Sequence, residues 1–562
     1  MTSARHYRPL CARTIGAALI ALVLPIALLT NLHGNAAADS PVKSTRAGAA
    51  ATLSAPLSVE WKFTGEFFGS NPASPVITED TAYFVCGNAI YCISTETGGL
   101  KWRYPSDPGS FLPKLIIFTP TFANGKLYVS APDGLYALDA ADGKLLWRFN
   151  PAGKSQVISS PIVQGSIVYF AAQNGRLYAI DGTTGEIAPG PYKPLNRQTG
   201  VDLGGDLATE PSVVDGSMYY VTANSDIRSI NLTSGVIKWS QHIPTDITTA
   251  KPVFYGDGFY LAAGNTFSSF RASNGQMRWT IPLPTDAAVP PVVDADGNAY
   301  VILADRSIYA LNPRGKGFWK KAAHLENRAL TQPLIAGGML LVTTALGGIV
   351  AFEATTGNLC WNYTMEPSST NPNYVPTGTS VAARPVVFGS TMYTLSDDGS
   401  LTAFNHDAVD NDPPTIDKLE PENGAYINGR PPLHLSAHII DEGSGLDLSS
   451  LKMKLDDQTL PRKPEDTVSS SAADNGFSYK NDSHTVEYTT IETESGRTAT
   501  LADGHHTVTV SVKDWKGNLL NKSWTFVTDE TIKKIVKNPA PAGNGANSSG
   551  KTGNGAPGPK GN

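Results

Sequence analysis

Eight residues stand immediately ahead of a regularly spaced series of prolines, and they are the first candidates for chemistry: Ser74, Thr119, Ser160, Glu210, Lys251, Pro290, Gln332 and Arg384. If the prolines mark equivalent points of a repeat, these residues ring one mouth of a common axis. A bound metal would need several oxygen ligands there, and the set holds one acid, Glu210. Glu210 and Lys251 open adjacent repeats, so a salt bridge between them and contact with a ligand both stay open. Arg384 has no acid at the neighbouring repeat starts, which suits it either to an anionic ligand or partner carboxylate or to simple hydration. Gln332 completes the polar set.

Three connections, residues 106–119, 189–209 and 366–383, exceed minimal lengths, and long ordered loops on one face of a rigid scaffold usually carry binding. Tyr192, Arg197, Asn371 and Tyr374 are their candidate ligand contacts, unless the loops only cover sheet edges. Asp410, Asp412, Asp441 and Asp514 could border a calcium site at a domain junction, or could serve turn geometry alone. No metal or cofactor is expected at the hub, and no catalytic residue is assigned. The pair His505-His506 lacks zinc-ligand spacing, and neither a G-x-S-x-G elbow nor a G-x-x-x-x-G-K phosphate loop occurs.

The elements that must position these groups form a repeat. Its unit is LYALDAADGKLLWRF (residues 135–149): a strand, an Asp-Gly turn and a second strand carrying Trp147. Variants end at Trp102, Trp239, Trp279, Trp319 and Trp361, and YAIDGTTGEIAP keeps the turn but lacks the indole. The proline signature opens each copy, at Pro75, Pro120, Pro161, Pro211, Pro252, Pro291, Pro333 and Pro385. A period of about 40–50 residues signals a propeller or solenoid. Proline cannot donate to a strand ladder, which places it on an inner edge strand facing the axis. The stretch SVEWKF (residues 58–63) has no repeat of its own, and the last repeat has no tryptophan strand. Together they predict a closed ring of eight four-stranded blades over residues 57–409.

These TG-x-x-x-W repeats resemble the PQQ-like β-propellers, which include quinoprotein dehydrogenases and a non-catalytic lipoprotein of outer-membrane assembly. The resemblance implies that Trp61, Trp102, Trp147, Trp239, Trp279, Trp319 and Trp361 pack between blades as structural anchors. The chain departs from the enzymes: it lacks their adjacent cysteine pair, and no C-x-x-C-H marks an attached haem.

From Asp410 the repeat stops. Alternating strands separated by turn clusters suggest a β-sandwich, and DEGSGLD, LADGHHTV and KDWKGN resemble bacterial immunoglobulin-like domains over residues 410–529. Residues 530–562, rich in Gly, Asn, Pro and Lys, are expected to be a disordered tail. At the other end, Arg5, Arg8 and Arg13 precede an apolar run and Ala36-Ala37-Ala38, which reads as a signal peptide over residues 1–38, cleaved or retained as an anchor, followed by a flexible linker over 39–56. Cys86 and Cys92 flank a short turn and are either a possible disulfide or two packed thiols.

The chain has 562 residues, 41% apolar and 17% charged, with a formal charge of -6, which argues against a nucleic-acid surface. The expected fold class is all-β: an eight-bladed PQQ-like propeller, an Ig-like sandwich and a tail. The expected function is a secreted or extracytoplasmic, cell-surface binding or scaffold protein, monomeric and non-catalytic, recognising a protein or glycan of the cell envelope. The alternative is an enzyme: a PQQ- and calcium-dependent quinoprotein dehydrogenase or a carbohydrate-active propeller.

Overall fold

The computed structural model describes residues 52–66, 73–107, 109–152, 155–193, 199–243, 251–365, 381, 383–463, 476–481, 483–490 and 501–532. The expected signal peptide, most of the linker and tail, and Arg197, Asn371 and Tyr374 lie outside the described residues.

Between Ser58 and Asn405 the described chain forms eight four-stranded antiparallel sheets. A representative sheet runs Thr121–Ala123, Lys126–Ala131, Gly134–Asp139 and Leu145–Phe149, each strand beside the next. Its middle strands are buried on both faces and accordingly read as near-continuous apolar runs, whereas Leu145–Phe149 on the outer edge is mostly exposed. The short first strand follows Pro120, and the turn to the second uses left-handed Asn124 (φ 52°) and Gly125 (φ 71°). In the closing sheet, Ser58–Thr64 pairs antiparallel with Ser400–Asn405, setting Trp61 opposite Ala403. The inner strand Val76–Ile77 of the first repeat packs beside Val386–Phe388 of the last, so the two chain-distant ends of the ring are neighbours.

Neighbouring sheets are clasped by the indoles. Trp102 lies on Gly143 of the next sheet, Trp147 on Gly185, Trp239 on Gly275, Trp319 on Gly357 and Trp61 on Gly98; a Cβ on any of these glycines would sit 2.5–2.9 Å from an indole carbon. The same indoles donate from Nε1 to the carbonyls of Ala140, Gly182, Ala272, Ala354 and Thr95, at 2.8–3.1 Å. The turn glycine therefore answers two demands, a positive φ of its own and room for its neighbour's ring.

Two further sheets follow the ring. Thr415–Glu420, His434–Ile440, Thr485–Thr489 and Ser478–Lys480 form one. Ala425–Ile427, Leu519–Thr528, Gly504–Asp514, Leu446–Leu455 and Gln458–Thr459 form the other. They share one core, with Leu435, Ala437 and Ile439 from the first packed among Met453, Val508, Val510, Trp524 and Phe526 from the second. Among the described residues no helix is long and apolar enough to cross a membrane.

The Cys86–Cys92 disulfide is not formed, and both residues are buried. Cys86 pairs with Ala89 and Cys92 with Tyr83, which puts the two sulfurs on opposite faces of one sheet. Cys86 packs with Phe84 and Tyr91, and Cys92 with Tyr83 and Trp102.

Gly143→Ala and Gly125→Ala separate the two demands on a turn glycine. Both positions have positive φ, but a Cβ at 143 meets Trp102 at 2.5 Å and one at 125 meets nothing within 4 Å. Gly125→Ala should lose roughly 1–2 kcal/mol for the left-handed backbone, and Gly143→Ala about 1–3 kcal/mol more for overpacking. Denaturant midpoints measure both, and equal losses would mean that the indole contact contributes nothing.

Candidate functional site

The hub is built by the inner strands and the residues that enter them. Here the polar residues ahead of the prolines, and just after them, tie one sheet to the next. Thr119 Oγ1 accepts from Ser74 N at 3.0 Å, Thr121 Oγ1 donates to Pro161 O at 2.6 Å, and Ser212 Oγ donates to Pro252 O at 2.7 Å. Gln332 belongs to this belt: it is buried, and its Nε2 donates to Pro291 O at 2.7 Å.

Lys251 is brought within electrostatic reach of both Glu210 and Arg384. The expected Glu210–Lys251 salt bridge does not close to contact. The Glu210 carboxylate instead accepts from Ser160, at 3.2 Å from N and 3.3 Å from Oγ, the preceding repeat start. Burial in the hub pushes the Glu210 carboxyl up, opposed by Lys251 and by the Ser160 donors. Lys251 is pushed down to about 8, by burial first and by the Arg384 guanidinium second, with Glu210 pulling the other way. What remains is a hub in which Lys251 faces a second cation, Arg384, and one carboxylate whose lone pairs are partly taken by Ser160.

Tyr192, singled out in the sequence as a ligand contact, lies buried in the core. Residues 189–209 do not form one long loop, because Val201–Asp202 returns as the fourth strand of its sheet, pairing with Leu177 and Arg176. This is the repeat that lacks an indole, and three residues take over the missing ring's work. Tyr192 Oη, fully buried, donates to Leu232 O at 2.5 Å, the carbonyl equivalent to those that accept indole Nε1 elsewhere. Val201 and Pro191 cover Gly235, where the ring would lie. The missing tryptophan in YAIDGTTGEIAP was the available signal that some nearby aromatic must replace it.

A second cluster lies where the sandwich meets the ring. The last repeat offers Trp361 no turn glycine, and the sandwich loop after Ile440 supplies the clasp. Trp361 Nε1 donates to Ser444 O at 3.0 Å, Tyr363 Oη to Glu442 O at 3.0 Å, and Val59 N to Gly443 O at 3.0 Å. A second loop adds Trp515 Nε1 to Asn362 Oδ1 at 3.2 Å, Lys516 Nζ to His406 O at 2.7 Å and Asn518 Nδ2 to Asp410 O at 3.0 Å. Three of the four aspartates singled out in the sequence, Asp410, Asp441 and Asp514, converge here. Asp412 is exposed, and its amide caps Asp410. Burial raises Asp441 to about 6, opposed by the Gly445 amide and helped by the charges of Asp410 and Asp514.

The sequence pattern of the family described as outer membrane protein assembly factor BamB matches residues 46–189, 200–289 and 284–409. The chain belongs to this family of PQQ-like β-propeller repeat proteins. BamB of Yersinia pestis is 25% identical over 161 residues, 27% of this chain and 39% of that protein. Quinohemoprotein alcohol dehydrogenase ADH-IIG of Pseudomonas putida is 29% identical over 175 residues, 29% of this chain and 22% of that one. Both alignments span less than two thirds of the relative's own length. The solved structure of BamB from Moraxella catarrhalis superposes with a TM-score of 0.49 at 15% identity, over 63% of this chain and 99% of that one.

A quinone held by calcium needs several oxygen ligands at the hub mouth. Among the described repeat starts Glu210 is the one carboxylate, already engaged by Ser160 and facing Lys251, so these residues do not fit that pair of groups.

Lysine titration checks the hub electrostatics. After reductive ¹³C-methylation, one resonance, assigned by its loss in Lys251→Arg, should titrate near pH 8. Arg384→Met should raise that midpoint and Glu210→Gln should lower it. Because the folded value lies below the unfolded one, Lys251 disfavours folding most below pH 8 and is relieved as pH rises from 8 toward 10.5. A midpoint indistinguishable from the other lysines contradicts the geometry.

Proposed function

We propose that this protein is a non-catalytic, extracytoplasmic binding or scaffold protein: an eight-bladed propeller that presents its hub mouth to an anionic group of an envelope protein or glycan, with an Ig-like sandwich as a fixed second module. The observation that carries this reading is the hub's own charge: Lys251 lies beside the Arg384 guanidinium, and the Glu210 carboxylate on its other side is held by Ser160. Two cations in a site sheltered from bulk water attract an anion more strongly than the same pair on an open surface. Membership of a family described as an assembly factor supports a binding role, and the basic, then apolar, N-terminal segment supports export. An enzyme reading asks for converging carboxylates at the hub; the described repeat starts place one there.

Capture from detergent-solubilised native envelope tests the reading. The tagged protein should enrich a defined acidic component, and Lys251→Glu with Arg384→Glu should lower its yield at least tenfold while the thermal midpoint of the bait holds. Capture that ignores both charge reversals removes the hub from the function. Addition of PQQ and CaCl2 with a redox dye gives the opposing outcome, since stoichiometric quinone uptake with dye reduction would establish the enzyme instead.

A further inference from the structure

At the junction, three carboxylates meet without a counter-charge. Asp410 comes from the connector between ring and sandwich, Asp441 from the loop after His434–Ile440, and Asp514 from the end of Gly504–Asp514; one oxygen from each lies within 4.8 Å of the others. Among the described residues no Lys, Arg or His forms an ion pair with any of them. Their amide donors are limited: Ser444 N at 2.9 Å and Gly445 N at 2.7 Å share Asp441 Oδ1, Asn518 holds Asp514, and Asp412 N reaches Asp410 Oδ1.

Two buried polar atoms, one in the cluster and one beside it, have no protein partner. Asp410 Oδ2 is buried and has no hydrogen-bond partner. Ser444, which leans on Asp441 through its amide, is fully buried at 0% exposure, and its hydroxyl also lacks a partner. Native structures rarely leave buried polar atoms unsatisfied, and a bound ion or an ordered water is the ordinary partner of such an atom.

We propose that this junction binds one calcium ion, with Asp410, Asp441 and Asp514 as its carboxylate ligands. The donor set is oxygen alone, with no His or Cys in the cluster, which selects a hard cation. Two Ca–O bonds of about 2.4 Å span about 4.8 Å, the reach of these oxygens, and water or backbone oxygens complete the shell. The ion would join three chain segments. Two of them already grip the ring, one through Ser444 on Trp361 and the other through Trp515 on Asn362, so its effect is to lock the sandwich to the propeller. This inference stands apart from the hub reading and survives if that reading fails.

The test uses the full-length protein stripped with EDTA. Calorimetric titration with CaCl2 should show one site per chain, and saturating calcium should raise the thermal midpoint by several degrees. Asp410→Asn should weaken binding at least tenfold. In EDTA the same variant should melt no lower than wild type, because removing one charge relieves the repulsion that calcium otherwise screens. If Asp514→Asn, whose residue also orders Asn518, fails to fold, terbium luminescence sensitised through Trp515 gives the second readout: bright in wild type, quenched by calcium, and weak in Asp410→Asn. Absence of a stoichiometric site, calcium binding unaffected by Asp410→Asn, or magnesium binding as tightly as calcium would each overturn the proposal.

Discussion

The ring depends on one contact repeated around it, an indole laid on the bare backbone of the next sheet's turn glycine. Each four-stranded sheet buries only part of its apolar surface by itself, so the sheets must pack face to face, and the indole sets how they do so. It combines a large apolar face with one directed donor. The face needs a glycine with no Cβ, and the donor needs a carbonyl at the end of the neighbour's third strand. Both are met between Trp102 and Gly143 with Ala140, and again between Trp319 and Gly357 with Ala354.

Two departures from it show how strongly that contact constrains the rest. Where the indole is missing, Tyr192 donates to Leu232 O, and Val201 and Pro191 cover Gly235; the acceptor and the glycine persist although the ring has gone. Where the turn is missing, after the last repeat, Trp361 is completed by Ser444 of the sandwich and becomes fully buried. Gly445, at φ 84°, lies so close to Asn362 and Tyr363 that a Cβ would meet them at 2.8–3.2 Å. The sandwich is thus bound into the ring by the same device that joins the sheets, and its two anchoring loops carry Asp441 and Asp514.

At the hub the constraint is electrostatic. Polar residues around the prolines do mechanical work: Thr121, Ser212 and Gln332 satisfy carbonyls of adjacent sheets, and Glu210 satisfies Ser160. Lys251 and Arg384 are the two cations that the repeat starts bring together there. Position in the repeat placed all of these groups on one axis, but their roles differ with the reach of each side chain.

Periodicity alone determined the repeat, the strand order within each sheet, the inner-edge prolines and the glycine turns, because each is a local rule that the backbone obeys within a few residues. The stretch at Trp61 was legible as a strand in search of a sheet for the same reason. Distance across the fold decided the rest. Hairpin register put Cys86 and Cys92 on opposite faces, a two-residue return strand turned Tyr192 inward, and Ser160 reached Glu210 before Lys251 could. The convergence of Asp410, Asp441 and Asp514 depended on how the sandwich docks, which follows from side chains about 80 to 150 residues apart in sequence and leaves no periodic trace.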